Sequence, residues 1–392
     1  MADNFNFRQV FAAACLGMLL FGMVIVSLGS VLPILISDFD LNEAKAGLLA
    51  SVLPMGILLG SLFFGPIVDR YSYRYLLVIC TLIVLVGIEC LAFADSYELL
   101  VLAFFLIGTG GGALNGGANA LVADISLGNA NKRGANLSFL GVFFGVGALG
   151  MPSLMGGLKA VFSYREIVAG LGGVILVAIV VFLLVRFPQP KQSKGIPLKE
   201  GLKLAKDMPL LLLSFFLFFQ SGVEGIILNW STVFLEKVIQ LTPSRALFGL
   251  STYVLCLTLT RILLARLLNR VPPYQIMIVS LAFIFIGISA TFVHQVPFWP
   301  LAGLALSGVG VAACFPVILG YVGTLYAHLS GTAFSVILTI SLVGNTLINY
   351  LMGVFSLHYG LTVYTPVILT CLVSMVVLLY LALRQIKKQI EV

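Results

Sequence analysis

Two ionisable side chains, Glu224 and Arg261, lie deep inside long apolar stretches, and a third, Glu89, lies nearer the end of one. An ionisable group in hydrocarbon costs roughly 2.5–3.5 kcal/mol on insertion scales, so each is expected to carry a function. Glu224 falls midway along the apolar stretch 209–236. There it can hydrogen-bond hydroxyl groups when ionised, or bind and release a proton. Arg261 falls in the inner half of stretch 246–268, too deep for a loop residue. It can pair with Glu224, hold an anionic substrate, or snorkel toward water. Glu89, toward the outer end of stretch 75–94, is a second candidate for proton coupling. Asp124 ends stretch 98–124 near Lys132 and Arg133 and is expected to act as a gating residue.

Neutral polar residues recur at helical spacing. Asn115 and Asn119 are four apart, as are Asn345 and Asn349, and Gln220 precedes Glu224 by four. Residues four apart share one helix face. Amides both donate and accept, which suits a hydroxyl-rich ligand. Trp230, six residues past Glu224, offers an apolar platform or an outer gate. These seven residues, Glu224 included, are the expected substrate-binding set. The six cysteines form no CxxC pair, and the three histidines fall near predicted loop ends. No metal site and no cofactor are expected, and the cysteines read as small packing residues. Sequence signatures of a membrane-embedded enzyme, such as His-Glu-x-x-His or Gly-x-Ser-x-Gly, are missing, so no enzymatic activity is expected.

The elements that must position these residues are membrane spans. The chain is 60% hydrophobic and only 9% charged, with a mean hydropathy of +1.12. Soluble domains carry roughly 25% charged residues. Twelve stretches reach the length of about 20 apolar residues that a crossing helix needs. They are 8–36, 45–67, 75–94, 98–124, 135–158, 166–187, 209–236, 246–268, 274–293, 297–323, 331–355 and 362–384. The expectation is an all-α membrane protein: two six-helix bundles, 1–190 and 209–392, joined by a basic linker, 191–208. With the N-terminus inside, sixteen basic residues fall on the inner side and five on the outer. That bias predicts cytoplasmic termini. The net charge of +7 therefore belongs to membrane topology and does not point to nucleic acid. The first apolar stretch has no small-residue cleavage site, so no cleavable leader is expected.

The chain also repeats itself. Gly22 matches Gly222, Gly108 matches Gly308 and Gly110 matches Gly310, all at an offset of 200. Segment 65–70 aligns with 265–270 at the same offset, and 147–156 resembles 344–353 at an offset of 197. Two similar apolar halves are the signature of a secondary transporter with its site at the repeat interface.

The loop after the second stretch reads Gly65-Pro66-Ile67-Val68-Asp69-Arg70-Tyr71-Ser72-Tyr73-Arg74. It resembles the major facilitator superfamily pattern Gly-x-x-x-Asp-Arg-x-Gly-Arg-Arg/Lys, with Ser72 in place of the second glycine. The resemblance implies gating roles for Asp69, Arg70 and Arg74, alongside Asp124 and Arg261. Asp69 would latch onto a helix N-terminus or a basic residue. The glycine-rich run Gly108 to Asn119, and Gly222-Val223-Glu224 followed by Trp230, are similar to the fucose–galactose–glucose:proton symporter group. That likeness implies monosaccharide uptake with protons, or with sodium as in some animal members, by a protein that works as a monomer. Bacterial fucose permeases of the group carry an acidic residue in the first helix; here none occurs between Phe11 and Ile36. The expectation is a secondary active transporter of the bacterial inner membrane, moving a small sugar by alternating access and proton symport. The alternatives are a drug or metabolite exporter, or an organic-anion carrier centred on Arg261.

Overall fold

A computed structural model describes residues 5–41, 43–126, 130–158, 161–189, 204, 206–293, 296 and 298–390. Most of the expected linker 191–208 therefore lies outside the described residues. Twelve helices are present: α1 Phe7–Asp38, α2 Glu43–Tyr71, α3 Tyr73–Ala92, α4 Tyr97–Ile125, α5 Ala130–Leu158, α6 Tyr164–Leu184, α7 Met208–Lys237, α8 Pro243–Leu267, α9 Pro273–Ala290, α10 Phe298–Leu325, α11 Ser330–Tyr359 and α12 Tyr364–Ile390. Each contains a segment long and apolar enough to cross a membrane. Among the described residues there is no strand. In hydrocarbon every backbone polar group must be satisfied internally, which long helices achieve.

The helix ends show why the chain turns where it does. Ser163 and Glu166 form a reciprocal capping box at the start of α6, with the Ser163 N–H donating to Glu166 Oε2 at 2.8 Å. Asp207 caps α7 by accepting the Leu210 N–H at 3.3 Å, and Pro209 occupies its first turn. Ser72 caps α3 at a φ of 126°, a backbone conformation that favours glycine. Strain of this kind costs about 1–3 kcal/mol, whereas glycine at an N-cap loses only a few tenths against serine. Ser72→Gly should therefore stabilise the protein by about 1 kcal/mol. A thermal melt in detergent checks this; an unchanged or lower midpoint would show that the Ser72 cap outweighs the strain.

The chain forms two compact units. The first comprises Met1–Ile125, Phe143–Leu198 and Tyr326–Ser335; the second comprises Ser126–Val142, Lys199–Leu325 and Val336–Val392. In the first, α4 is the central helix, packed on α1, α2 and α3, and α3 also packs on α6. In the second, α10 packs on α7, α8 and α9, and α12 packs on α7 and α9.

Within each unit, glycines let helix backbones meet where any side chain would collide. Gly108 lies against the Leu53 carbonyl, and Gly308 against the Tyr253 carbonyl. Gly110 lies against the Cys80 carbonyl, and Gly310 against that of Ser280. Gly87 faces the Ala103 carbonyl, and Gly287 that of Gly303. In every pair both partners move by 200 positions, so the repeat in the sequence is a repeat of backbone crossings.

Candidate functional site

In the second unit a polar set gathers around the middle of α7. Gln220 Nε2 donates to Glu224 Oε2 at 2.8 Å, one turn apart on the same face. Gln220 is 1% exposed and Glu224 is half-buried. Helix α7 runs unbroken through this point, so Glu224 caps no helix end. On α11, Ser341 donates to the Leu217 carbonyl at 3.2 Å and Asn345 to the Ser221 carbonyl at 2.9 Å. Asn229 donates to Asn349 Oδ1 at 3.1 Å, and Asn349 in turn donates to the Asn345 carbonyl at 2.8 Å. These bonds step along α7 and α11 at a spacing of four. Gly225 makes the approach possible, because a side chain there would strike the amides of Asn345 and Asn349. Trp230, half-buried, covers Gly353 farther along the same pair of helices.

Arg261, on α8, is 7% exposed, which excludes snorkelling to a surface. Its Nη1 donates to the Gly141 carbonyl at 3.3 Å, and its own carbonyl accepts from Ser138 Oγ at 2.8 Å. The Glu224 charge acts on Arg261 and also on Tyr253. A buried charge of one sign is thus matched by the other inside one unit, as burial requires.

In the first unit the carboxylates Asp69 and Asp124 both meet the start of α11. Asp69 is fully buried, and its Oδ2 accepts from the Thr332 N–H at 2.9 Å and from the Thr332 hydroxyl at 2.6 Å. Asp124 accepts from Tyr73 at 2.6 Å and from Ser330. Ser335 donates to the Ser61 carbonyl at 2.9 Å. Gly65 brings α2 onto Gly331, where a Cβ would collide with the Gly331 backbone. The amides at a helix start are unsatisfied donors carrying partial positive charge, so an anion belongs there. Arg70 and Arg74 are placed elsewhere. Arg70 lies over the Tyr71 ring at 4.7 Å, and Arg74 donates to the Val185 carbonyl at the end of α6, at 2.9 Å.

Asn119 turns inward on its own helix, donating to the Asn115 carbonyl at 2.8 Å and to Asn115 Oδ1 at 3.0 Å. The Asn115 amide nitrogen makes no hydrogen bond among the described residues. Glu89 sits half-buried on α3, its carboxylate against Gly172 of α6, in the unit that lacks Glu224. The residues that sequence reasoning missed are Thr332, Ser330, Tyr73, Gly141 and Tyr253. Ser330 and Thr332 carried a helix-start signal. The others are small or aromatic residues in apolar surroundings, with no signal of their own.

The chain matches the Major Facilitator Superfamily over residues 14–341. The chain belongs to this superfamily. Superfamily relatives span nearly its whole length. The glucose/mannose transporter GlcP of Bacillus subtilis is 23% identical over 384 residues, which is 94% of this chain and 93% of GlcP. The E. coli fucose:proton symporter FucP superposes with a TM-score of 0.77 at 17% identity, covering 95% of this chain and 98% of FucP. The proton:xylose symporter XylE superposes with a TM-score of 0.76 at 14% identity, covering 94% and 95%. The chain is thus a multi-pass membrane transporter of the superfamily, and it is not an enzyme.

Proposed function

We propose that this transporter carries a monosaccharide across the bacterial inner membrane by alternating access, coupled to protons through Glu224, with both termini in the cytoplasm. The observation that carries this reading is the amide–carboxylate set of the second unit: Gln220 bonded to Glu224, with Asn345 and Asn349 packed against Gly225. An ionised carboxylate only accepts hydrogen bonds, whereas a protonated one also donates. Taking up a proton therefore changes which hydroxyl orientation Glu224 can hold. Gln220 and Asn345 supply groups that adapt to either. Protonation and sugar binding then favour each other, which is the thermodynamic content of symport. GlcP, FucP and XylE are named for sugars, which supports the same class.

The organic-anion reading centres on Arg261. That guanidinium already donates to Gly141 and is balanced by Glu224, so it does not require a substrate carboxylate. Purified protein in proteoliposomes tests the two readings. Labelled hexoses, pentoses and monocarboxylates are offered with an inward proton gradient, an inward sodium gradient, or neither. At least one sugar should accumulate with the proton gradient alone. Accumulation of carboxylates without any sugar would sink the reading. Accumulation driven by sodium alone would remove the proton from it.

A further inference from the structure

Comparing the two units position by position, at the 200-residue offset, separates side chains that the fold needs from side chains it does not. In the first unit the positions equivalent to Gln220, Glu224, Tyr253 and Arg261 hold Leu20, Val24, Leu53 and Ser61, all buried. The second unit is built on matching backbone crossings but carries a polar set where the first carries mostly aliphatic packing. Tyr253 is the informative member. Its backbone carbonyl lies against Gly308, as the carbonyl of Leu53 lies against Gly108. Leucine satisfies that crossing in the first unit, so the tyrosine hydroxyl is not required for packing. Tyr253 is fully buried, and its hydroxyl has no hydrogen-bond partner among the described residues. The same is true of the Oε1 of Gln220, whose Nε2 holds Glu224. Glu224 acts electrostatically on Tyr253, so the carboxylate has one of these unfilled groups bonded beside it and the other within reach.

Buried polar groups in native proteins are nearly always paired. Two left open around one carboxylate mark a place for a group that is not part of the chain. A phenol hydroxyl donates and accepts, an amide oxygen accepts, and neither suits a full charge beside the Glu224–Arg261 pair. A neutral hydroxyl answers both, giving its hydrogen to Gln220 and its lone pair to Tyr253. We infer that Tyr253 is a substrate-binding residue that, together with Gln220 Oε1, holds one hydroxyl of the transported sugar beside Glu224. The close crossing at Gly308 fixes the tyrosine backbone, so the hydroxyl is held in place before the ligand arrives. This assignment rests on the monosaccharide reading and names which hydroxyl-recognising groups of the second unit do the work.

The experiment is equilibrium binding to full-length protein in detergent, by calorimetry. The probes are D-glucose, D-mannose, L-fucose and D-xylose, together with the monodeoxy analogues of whichever of the four binds most tightly. Wild type, Tyr253→Phe and Gln220→Met are compared, with thermal melts as the check on folding. Tyr253→Phe should bind the parent sugar roughly 3- to 10-fold more weakly than wild type. One monodeoxy analogue should bind equally well to Tyr253→Phe and to wild type, because the hydroxyl it lacks is the one Tyr253 holds. Gln220→Met should be indifferent to that same analogue. If Tyr253→Phe weakens the parent and all its deoxy analogues alike, the partner is a resident water and the assignment fails while the sugar reading stands. Unchanged affinity of a folded Tyr253→Phe has the same consequence. If wild type binds none of the four sugars, the monosaccharide reading falls and this assignment falls with it.

Discussion

Glu224→Gln should abolish accumulation driven by a pH gradient while leaving exchange of substrate across the membrane in place. Glutamine keeps the length of the side chain and still hydrogen-bonds Gln220, whose Nε2 bonds the carboxylate at 2.8 Å. It cannot carry a proton. An exchange cycle needs only binding and reorientation, so it should run at close to the wild-type rate. Net uptake against a gradient should fall to equilibration, a loss of about 10-fold or more at a gradient of one pH unit, since each 1.4 kcal/mol of driving force is a factor of ten. Counterflow and gradient-driven uptake, measured in the same proteoliposomes, check the two halves of this statement. Continued concentration of substrate by the variant under a pH gradient would exclude Glu224 as the proton site and direct attention to Glu89. A wild type indifferent to pH would identify a uniporter, or a carrier of another ion, in keeping with the missing carboxylate between Phe11 and Ile36.

The second large effect is expected at Asp69. This residue is fully buried and meets both the N–H and the hydroxyl of Thr332 in the first turn of α11. Asp69→Asn keeps the shape and one acceptor oxygen but removes the charge that the helix start favours. Hydrogen bonds to charged groups contribute about 1.5–3 kcal/mol, so the arrangement in which Asp69 holds α11 loses a factor of roughly 10–100 in population relative to its alternatives. Turnover should fall by about that factor. Affinity for substrate should change less than threefold, because Asp69 lies in the unit that does not contain Gln220, Glu224 and Tyr253. Thr332→Val, which removes only the hydroxyl, should cause a smaller loss in the same direction. Lost equilibrium binding with unchanged turnover would assign Asp69 to substrate instead.

The architecture was largely legible because a bilayer imposes its requirement on length and polarity together. Twelve apolar runs become twelve helices, and the differences fall at the ends. Helix α2 continues past 67 to Tyr71, and α12 past 384 to Ile390. Those last turns carry charge, so the apolar run stops before the helix does. Glu224 and Arg261 stood out for the same reason, since a charge in hydrocarbon is conspicuous. Their neighbours did not. Tyr253 reads as one more aromatic in an apolar helix, and only its alignment with Leu53 reveals the surplus hydroxyl. Thr332 and Ser330 are small and cost little to bury, so the partners of Asp69 and Asp124 were hidden although the carboxylates themselves were plain. The Arg261 contact was illegible because Gly141 contributes a backbone carbonyl, which every residue possesses.

The matched crossings at Gly108 and Gly308, Gly110 and Gly310, and Gly87 and Gly287 bear on how such a carrier acquires a new cargo. After duplication, the glycines and the carbonyls facing them cannot drift, since any added atom parts two helices. The side chains between them are under no such restraint, and the pairs 20 and 220, 24 and 224, 53 and 253, and 61 and 261 have diverged in kind. Selectivity can therefore be rewritten in one copy while the other preserves the blueprint. A combinatorial library restricted to positions 220, 224, 253 and 261, with every glycine untouched, would sample new specificities on a scaffold that each clone inherits intact.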